Sequence, residues 1–266
     1  MAQRRGGGAG VPAAGPDRGP VPAGLGSIAG GQVQALFGNA GPLALILGTA
    51  ALALLLRWSV SLPLALFGSA FVGGLTGLAM LGLGVNYLDQ LAGFYAEIFA
   101  DIEAQLAAES GEEVKLTPPG IVTIAGLLGL LNTIGCLLCL LLARWWQAML
   151  YNPGGFRAEF HALRFPPQVS SLLVALLLLV SMANHEFRPW AALFAIPLCV
   201  AGLGLVHARA AFRGQGSGYL TLFYLLWIFL DPVKLIVLGL AILDSWFDFR
   251  SRWRRPGETD SDNEQR

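Results

Sequence analysis

The chain has 266 residues, of which 55% are hydrophobic and only 13% charged, and its mean hydropathy is +0.61. That is more apolar surface than one soluble core of this length buries, so lipid is the expected solvent for much of the chain. The 17 Lys+Arg are balanced by 17 Asp+Glu, which argues against a nucleic-acid partner, and the 3 cysteines lie inside apolar blocks, where they suggest neither a disulfide framework nor a loop-borne zinc site.

Residues 1 to about 40 are crowded with Gly, Pro and Ala and carry neither a helical nor a strand period, so a disordered tail is expected. Arg4 and Arg5 open it, but no apolar h-region follows them, so no cleavable signal peptide is predicted and an internal span must do the targeting. The first hydrophobic block, 43–56, suffices for a short span and the second, 59–85, for a full one, with Arg57-Trp58 as an interface-anchored hairpin between them. Gly73 and Gly77 in the second block allow close approach of another helix, and packing within the chain is the expected use.

Over 87–108 the period changes. Leu88, Leu91, Tyr95, Ile98, Phe99, Ile102 and Leu106 share one stripe and Asp89, Glu97, Asp101 and Glu103 take other faces, which predicts a surface amphipathic helix. It lacks Lys and Arg, and with Glu109, Glu112 and Glu113 the whole connector is acidic. The third block, 120–143, holds Cys136 and Cys139, read as apolar filler, and Asn132, a span-depth amide that needs an interhelical partner.

Arg144 to Pro167 is the longest aromatic, polar and basic connector between apolar blocks. Arg144, Trp145 and Trp146 mark the water interface, because Arg snorkels and indoles prefer the headgroup level. The helix can run on to Tyr151, after which Asn152-Pro153-Gly154-Gly155 must break it. Phe156, Phe160 and Leu163 then restart a short amphipathic helix, with Arg157, His161 and Arg164 at polar positions and Pro166-Pro167 at its end. The predicted result is an interfacial elbow, 144–167, lying flat on the membrane. Its Trp145, Trp146, Tyr151, Asn152, Phe156, Arg157, Phe160 and His161 are the candidate surface for a cytoplasmic protein partner.

The stretch R-W-W-Q-A-M-L-Y-N-P-G-G-F-R-A-E-F-H-A-L-R, Arg144 to Arg164, is similar to a loop of YybS-like predicted membrane proteins of proteobacteria, a family of unknown function. The ending L-A-I-L-D-S-W-F-D-F-R, Leu240 to Arg250, resembles that family's C-terminal signature. The resemblance runs from about Leu56 onward. Family members carry further hydrophobic segments where this chain has its Gly/Pro-rich tail. The family is distantly similar to the substrate-binding membrane subunits of energy-coupling-factor transporters, which implies small-molecule binding at a bacterial inner membrane.

Blocks four and five, 168–184 and 190–207, are joined by a short turn in which His185 and Glu186 read as solvated residues. His207, Arg209 and Arg213 follow as a small basic interface. The last block, 219–247, would run about 43 Å as one helix, beyond a hydrocarbon core of roughly 30 Å. Asp231-Pro232-Val233-Lys234 interrupts it, so a broken or re-entrant helix is expected, with Asp231 and Lys234 neutralising each other at i, i+3. Asp244 and Asp248 sit at i, i+4, a spacing that suits either a metal-bridged lipid phosphate or an ion pair of Asp248 with Arg252, the simpler of the two. Residues 250–266 read as a charged cytoplasmic tail, because a re-entrant last block puts Arg250 and Arg252 on the same side as the elbow, in line with the positive-inside rule.

These observations predict an all-α, polytopic transmembrane helical bundle in the bacterial inner membrane, surrounded by lipid. No H-E-x-x-H, G-x-S-x-G or P-loop motif is present, so no enzyme, catalytic residue, metal or cofactor is expected. The leading functional expectation is small-molecule binding or transport, with Asp231, Lys234 and Asn132 lining the site. The alternative is a non-transporting scaffold that recruits its partner through the elbow.

Overall fold

The structure, a computed structural model, describes residues 40–112 and 114–253. The tail expected before residue 40 and the charged stretch beyond Trp253 lie outside the described residues. Ten α-helices account for nearly all of the rest: α1 Ala40–Ser59, α2 Leu62–Leu83, α3 Val85–Ser110, α4 Ile121–Tyr151, α5 Gly155–Ala162, α6 Pro167–Ser181, α7 Arg188–Phe212, α8 Ser217–Phe229, α9 Asp231–Phe247 and α10 Phe249–Trp253. Among the described residues there is no strand. Four of the helices, α1, α2, α4 and α7 with its preceding 3-10 turn, are long and apolar enough to cross a membrane, and two bent pairs, α5–α6 and α8–α9, bring the total to as many as six. The protein is a multi-pass membrane protein.

The first turn lies three residues later than the sequence suggests. Arg57 and Trp58 remain inside α1, and the chain reverses at Val60, whose φ is 49°. Ser61 accounts for the shift: its hydroxyl accepts from the Leu64 N–H and Pro63 starts α2, so the N-terminal signal of α2 places the reversal just before Ser61.

The axis of the bundle is the pair α2–α4, with α1 on one side and α7 on the other. Gly73 and Gly129 set their separation. A Cβ on Gly129 would meet the Gly73 carbonyl oxygen, and one on Gly73 would meet the Thr133 hydroxyl. Gly77, one turn on, leaves room for the Trp190 ring of α7, whose indole N–H donates to the Val122 carbonyl at 2.9 Å. The glycines of α2 therefore serve packing within the chain. In lipid, helices gain little from apolar burial against each other, so such close contact and interhelical hydrogen bonds hold them together. Asn132 supplies one of these bonds, donating to the Thr76 hydroxyl at 2.9 Å, and Thr133 another, donating to the Ser69 carbonyl at 3.3 Å.

A continuous apolar core joins Leu52, Leu66, Leu137 and Leu140 to Leu163, Phe165, Leu173 and Leu198 across α1, α2, α4, the elbow, α6 and α7. A smaller cluster of Met80, Leu88, Ile124 and Ala125 holds α3 at the opposite end. Leu88 is the one buried residue of α3; Leu91 and Tyr95 pack on the same cluster, Ile98 and Phe99 are half-buried, and only Ile102 and Leu106 toward the helix end stay exposed, so the first half of the predicted stripe anchors α3.

Helix α4 has 31 residues, about 46 Å, and α7 has 25, about 37 Å. Both exceed the hydrocarbon thickness, and α5 packs between their C-terminal ends: a Cβ on Gly204 of α7 would meet the Phe160 carbonyl oxygen. The last block breaks at Leu230, and α9 turns 112° away from α8. Tyr224 of α8 meets His207 of α7, while Trp253, just past α9, stacks on Phe212 in the last turn of α7. Both ends of the bent pair thus lie against one end of α7, the geometry of a re-entrant hairpin.

Two measurements check this architecture. Gly129→Val should lower stability by about 3 kcal/mol through overpacking of α2 on α4, while Gly74→Ala, which meets open space, should leave the detergent unfolding midpoint unchanged. With Cys136, Cys139 and Cys199 replaced by alanine, cysteines introduced at Gln215 and Ser251 should both react with an impermeant maleimide from the same side of the membrane; labelling from opposite sides would refute the hairpin.

Candidate functional site

Charge is divided between the two ends of the bundle. Asp89, Asp101, Glu103, Glu109 and Glu186 lie with α3 and the α6–α7 turn, and Arg57, Arg144, Arg157, Arg164, Arg209 and Arg250 lie at the end that carries α5. Three arginines at the basic end are already neutralised. The Arg144 Nε donates to Glu159 at 2.8 Å, Arg164 pairs with Asp248 at 2.8 Å, and Arg250 pairs with Asp244 at 3.0 Å. A fourth, Arg209, lies 4.7 Å above the Trp253 ring.

Arg157, like Arg57 on the other side of the elbow, has no carboxylate within ion-pair distance among the described residues. It borders a groove of about 360 Å³ between α4, α5, α7 and α8. Trp145 and Met149 form the α4 wall, Phe156, Arg157, Phe160 and His161 the α5 wall, His207 comes from α7 and Tyr224 from α8. A second hollow of about 210 Å³ shares Arg157, His161 and His207 and opens toward Gln215. Among the described residues no Asp or Glu lines either hollow.

Local sequence explains how these side chains converge. Asn152-Pro153-Gly154 ends α4, and Gly154, at φ 88°, lets the chain double back so that α5 starts at once. Phe156 and Phe160 stack at 5.8 Å on one face of α5, and Phe160 meets the His207 ring edge-on at 5.6 Å. His161 follows with its ring 6.4 Å from that of His207. On the far side His207 Nε2 and the Tyr224 hydroxyl share a hydrogen bond of 2.7 Å. Three helices thereby deliver one guanidinium, two imidazoles and a phenol to a hollow with no carboxylate among the described residues; Arg157, His161 and whichever of the bonded His207–Tyr224 pair keeps its proton can donate to an anion.

The larger cavity on the other side of the elbow, about 440 Å³, is lined by Arg57, Arg144, Gln147 and Glu159. There Arg144 is occupied by Glu159 and by Gln147 at 2.9 Å; Arg57 is left unpaired among the described residues, but the Glu159 carboxylate shares the cavity and disfavours an anion.

The residues expected to line a ligand site are not brought together. Asp231 and Lys234 bond each other at 2.7 Å in the first turn of α9, with the Asp231 side chain 89% exposed. Asn132 is spent on Thr76 in the α2–α4 seam, while α9 packs on α6, α7 and α8. Within the elbow, Trp145, Phe156, Arg157, Phe160 and His161 line the groove, whereas Trp146, Tyr151 and Asn152 face outward. His207 was legible only as part of a basic interface, and Tyr224 carried no signal at all, because its partner is 17 residues away in the chain.

The end of α9 corrects the expected pairing of Asp248 with Arg252. Asp248 adopts φ 46° and pairs instead with Arg164 from the elbow, and Asp244, 3% exposed, takes Arg250 and the Phe249 N–H at 2.9 Å. The left-handed turn at Asp248 ends α9 and breaks the helical spacing on which the Arg252 pairing depended. Burial pulls Arg250 below the usual guanidinium range while the Asp244 carboxylate opposes the shift, and the group stays charged. Asp244→Ala should therefore cost about 3 kcal/mol by leaving that cation buried and unpaired. Asp231→Asn should cost less than Asp244→Ala, because the Asp231 pair is not packed inside the protein. Thermal unfolding in detergent compares the two. No family model, curated protein or solved structure matches this chain, so the site is read from its own geometry.

Proposed function

We propose that this multi-pass membrane protein binds a small anionic molecule in the groove beside the elbow, with the basic end facing the cytoplasm of a bacterial cell. One observation carries the reading: Arg157, His161 and His207 converge from two helices on a hollow that Tyr224 closes and that no carboxylate lines among the described residues. Arg157 is exposed at the rim and has no ion-pair partner among the described residues, while His161 and His207 beside it are partly buried, so an anion seated there would gain a charge-assisted contact and lose little hydration. Small-molecule binding is thus supported at a different place from the Asp231 bend.

Transport of the bound molecule would need a path through the bundle. Beneath the groove Leu163, Phe165, Leu173 and Leu198 are each at most 1% exposed. Carriage across the membrane would therefore require separation of α6 and α7, whereas binding requires no movement. The scaffold reading draws on different residues: Trp146 is 60% and Tyr151 83% exposed at the elbow tip, outside the groove. Loss of a co-purifying cytoplasmic protein on Tyr151→Ala, with Arg157→Gln retaining it, would support recruitment there.

A thermal-shift panel in neutral detergent tests the binding reading. Phosphate monoesters and carboxylates should stabilise the protein, with a ligand at 100 times its Kd adding about 2.7 kcal/mol, while matched amines should not. Arg157→Gln should weaken the best ligand at least tenfold and Asp231→Asn should leave it unchanged. The reverse pattern would return the site to the α8–α9 bend.

A further inference from the structure

The position of the groove bears on what kind of anion reaches it. Trp145, one of its walls, belongs to the Arg144-Trp145-Trp146 cluster, whose indole and guanidinium groups favour headgroup level, which would set the groove's basic residues in the layer where lipid phosphates lie. The α4 wall does not stop at the groove. Leu131, Leu138, Leu142, Trp145 and Met149 recur at the spacing of a single helix face, and they are 64, 64, 50, 42 and 56% exposed. This apolar stripe runs from the groove down α4 toward the bilayer interior. On the opposite wall Tyr224 is followed one turn deeper by Ile228, which is 63% exposed. A molecule with its charged head between Arg157, His161 and His207 therefore finds continuous apolar surface below it on both sides.

The donor set also favours one kind of head. Arg157 and His161 project from α5, and of His207 on α7 and Tyr224 on α8, which share a hydrogen bond, one is left to donate, so donors approach from α5 and from one facing helix. A carboxylate accepts through two oxygens in one plane, whereas a phosphodiester adds two ester oxygens out of the plane of its two charged ones, so it can meet donors from both walls of the groove.

We infer that the groove is a lipid site: it holds the phosphate of an anionic phospholipid from the same leaflet, with an acyl chain lying along the Leu131–Leu138–Leu142 stripe of α4. This rests on the anion-binding reading and names its ligand class. A free phosphate ester shares the head chemistry and lacks the chain, so the two sources differ in whether the stripe contributes.

Titration of the full-length protein in neutral detergent, followed by thermal shift and by native mass spectrometry, separates the cases with three matched probes. Dioleoyl-phosphatidylglycerol carries head and chains, glycerophosphoglycerol carries the same head without chains, and dioleoylglycerol carries the chains without phosphate. The lipid should bind saturably, with the head alone and the diacylglycerol each at least tenfold weaker. Arg157→Gln/His161→Gln should weaken the phospholipid at least tenfold, and Arg188→Gln at the other end of α7 should not. Should the double variant fail to fold, Arg157→Gln alone serves, because Arg157 is exposed and holds no other charged group. If the head alone binds as tightly as the lipid, the lipid inference falls and anion binding stands. If the phospholipid binds but ignores the variants, the site is wrong; if neither phosphate probe binds, the lipid inference falls, and the wider anion panel decides the parent reading.

Discussion

At Gly73 and Gly129 the backbones of α2 and α4 come so close that neither position has room for a Cβ, and the remaining helices are arranged around that contact. Lipid chains are as apolar as leucine, so two spans have no hydrophobic reason to prefer each other over the bilayer. Removing side chains lets the backbones touch, which brings the short polar groups of the same seam into hydrogen-bonding reach. Thr133 reaches the Ser69 carbonyl, and Asn132 reaches Thr76. With that pair as axis, α1 and α7 pack on its two sides, and Trp190 of α7 fills the space that Gly77 leaves.

The central helices are longer than the hydrocarbon they cross, and that excess length produces the groove. The final turns of α4 and α7 stand clear of the core, where indole, imidazole and guanidinium groups are stable, and the break at Asn152-Pro153-Gly154 folds α5 back between them. A short amphipathic helix wedged between two projecting helix ends presents its apolar face to them and its polar residues to their rims. The groove therefore owes its mixed character to its depth: aromatic toward the bilayer, cationic toward water.

Ionic groups in this chain do two kinds of work. Arg164 with Asp248 ties the end of α9 to the elbow and Asp244 with Arg250 braces that end, so the bent pair and the groove share one end of the molecule. The exposed Asp231–Lys234 pair closes on itself at the proline break, where an acidic residue also suits a helix N-terminus. Arg157 alone among the arginines near the groove is left without a protein carboxylate or aromatic face among the described residues, and the proposed chemistry follows from that vacancy in charge.

Apolar block lengths, the stripe over 87–108, the break after Tyr151 and the proline at 232 were sufficient on their own to define a helical membrane bundle, its amphipathic helix, its elbow and its bent last block, because lipid solvation constrains every residue of a span and so writes its length into composition. Local pairing rules likewise anticipated the Asp231–Lys234 bond and an interhelical role for Asn132. The site was only half legible. Trp145, Phe156, Arg157, Phe160 and His161 lie on contiguous turns and announced themselves, but the groove needs His207 and Tyr224, which come from helices separated from the elbow by intervening spans. Asp248 shows the same limit, since sequence spacing offered Arg252 while the fold delivered Arg164. Which helix ends meet is set by backbone approach at Gly73, Gly77, Gly129 and Gly204, a matter of Cβ clearance between distant residues that no local pattern encodes.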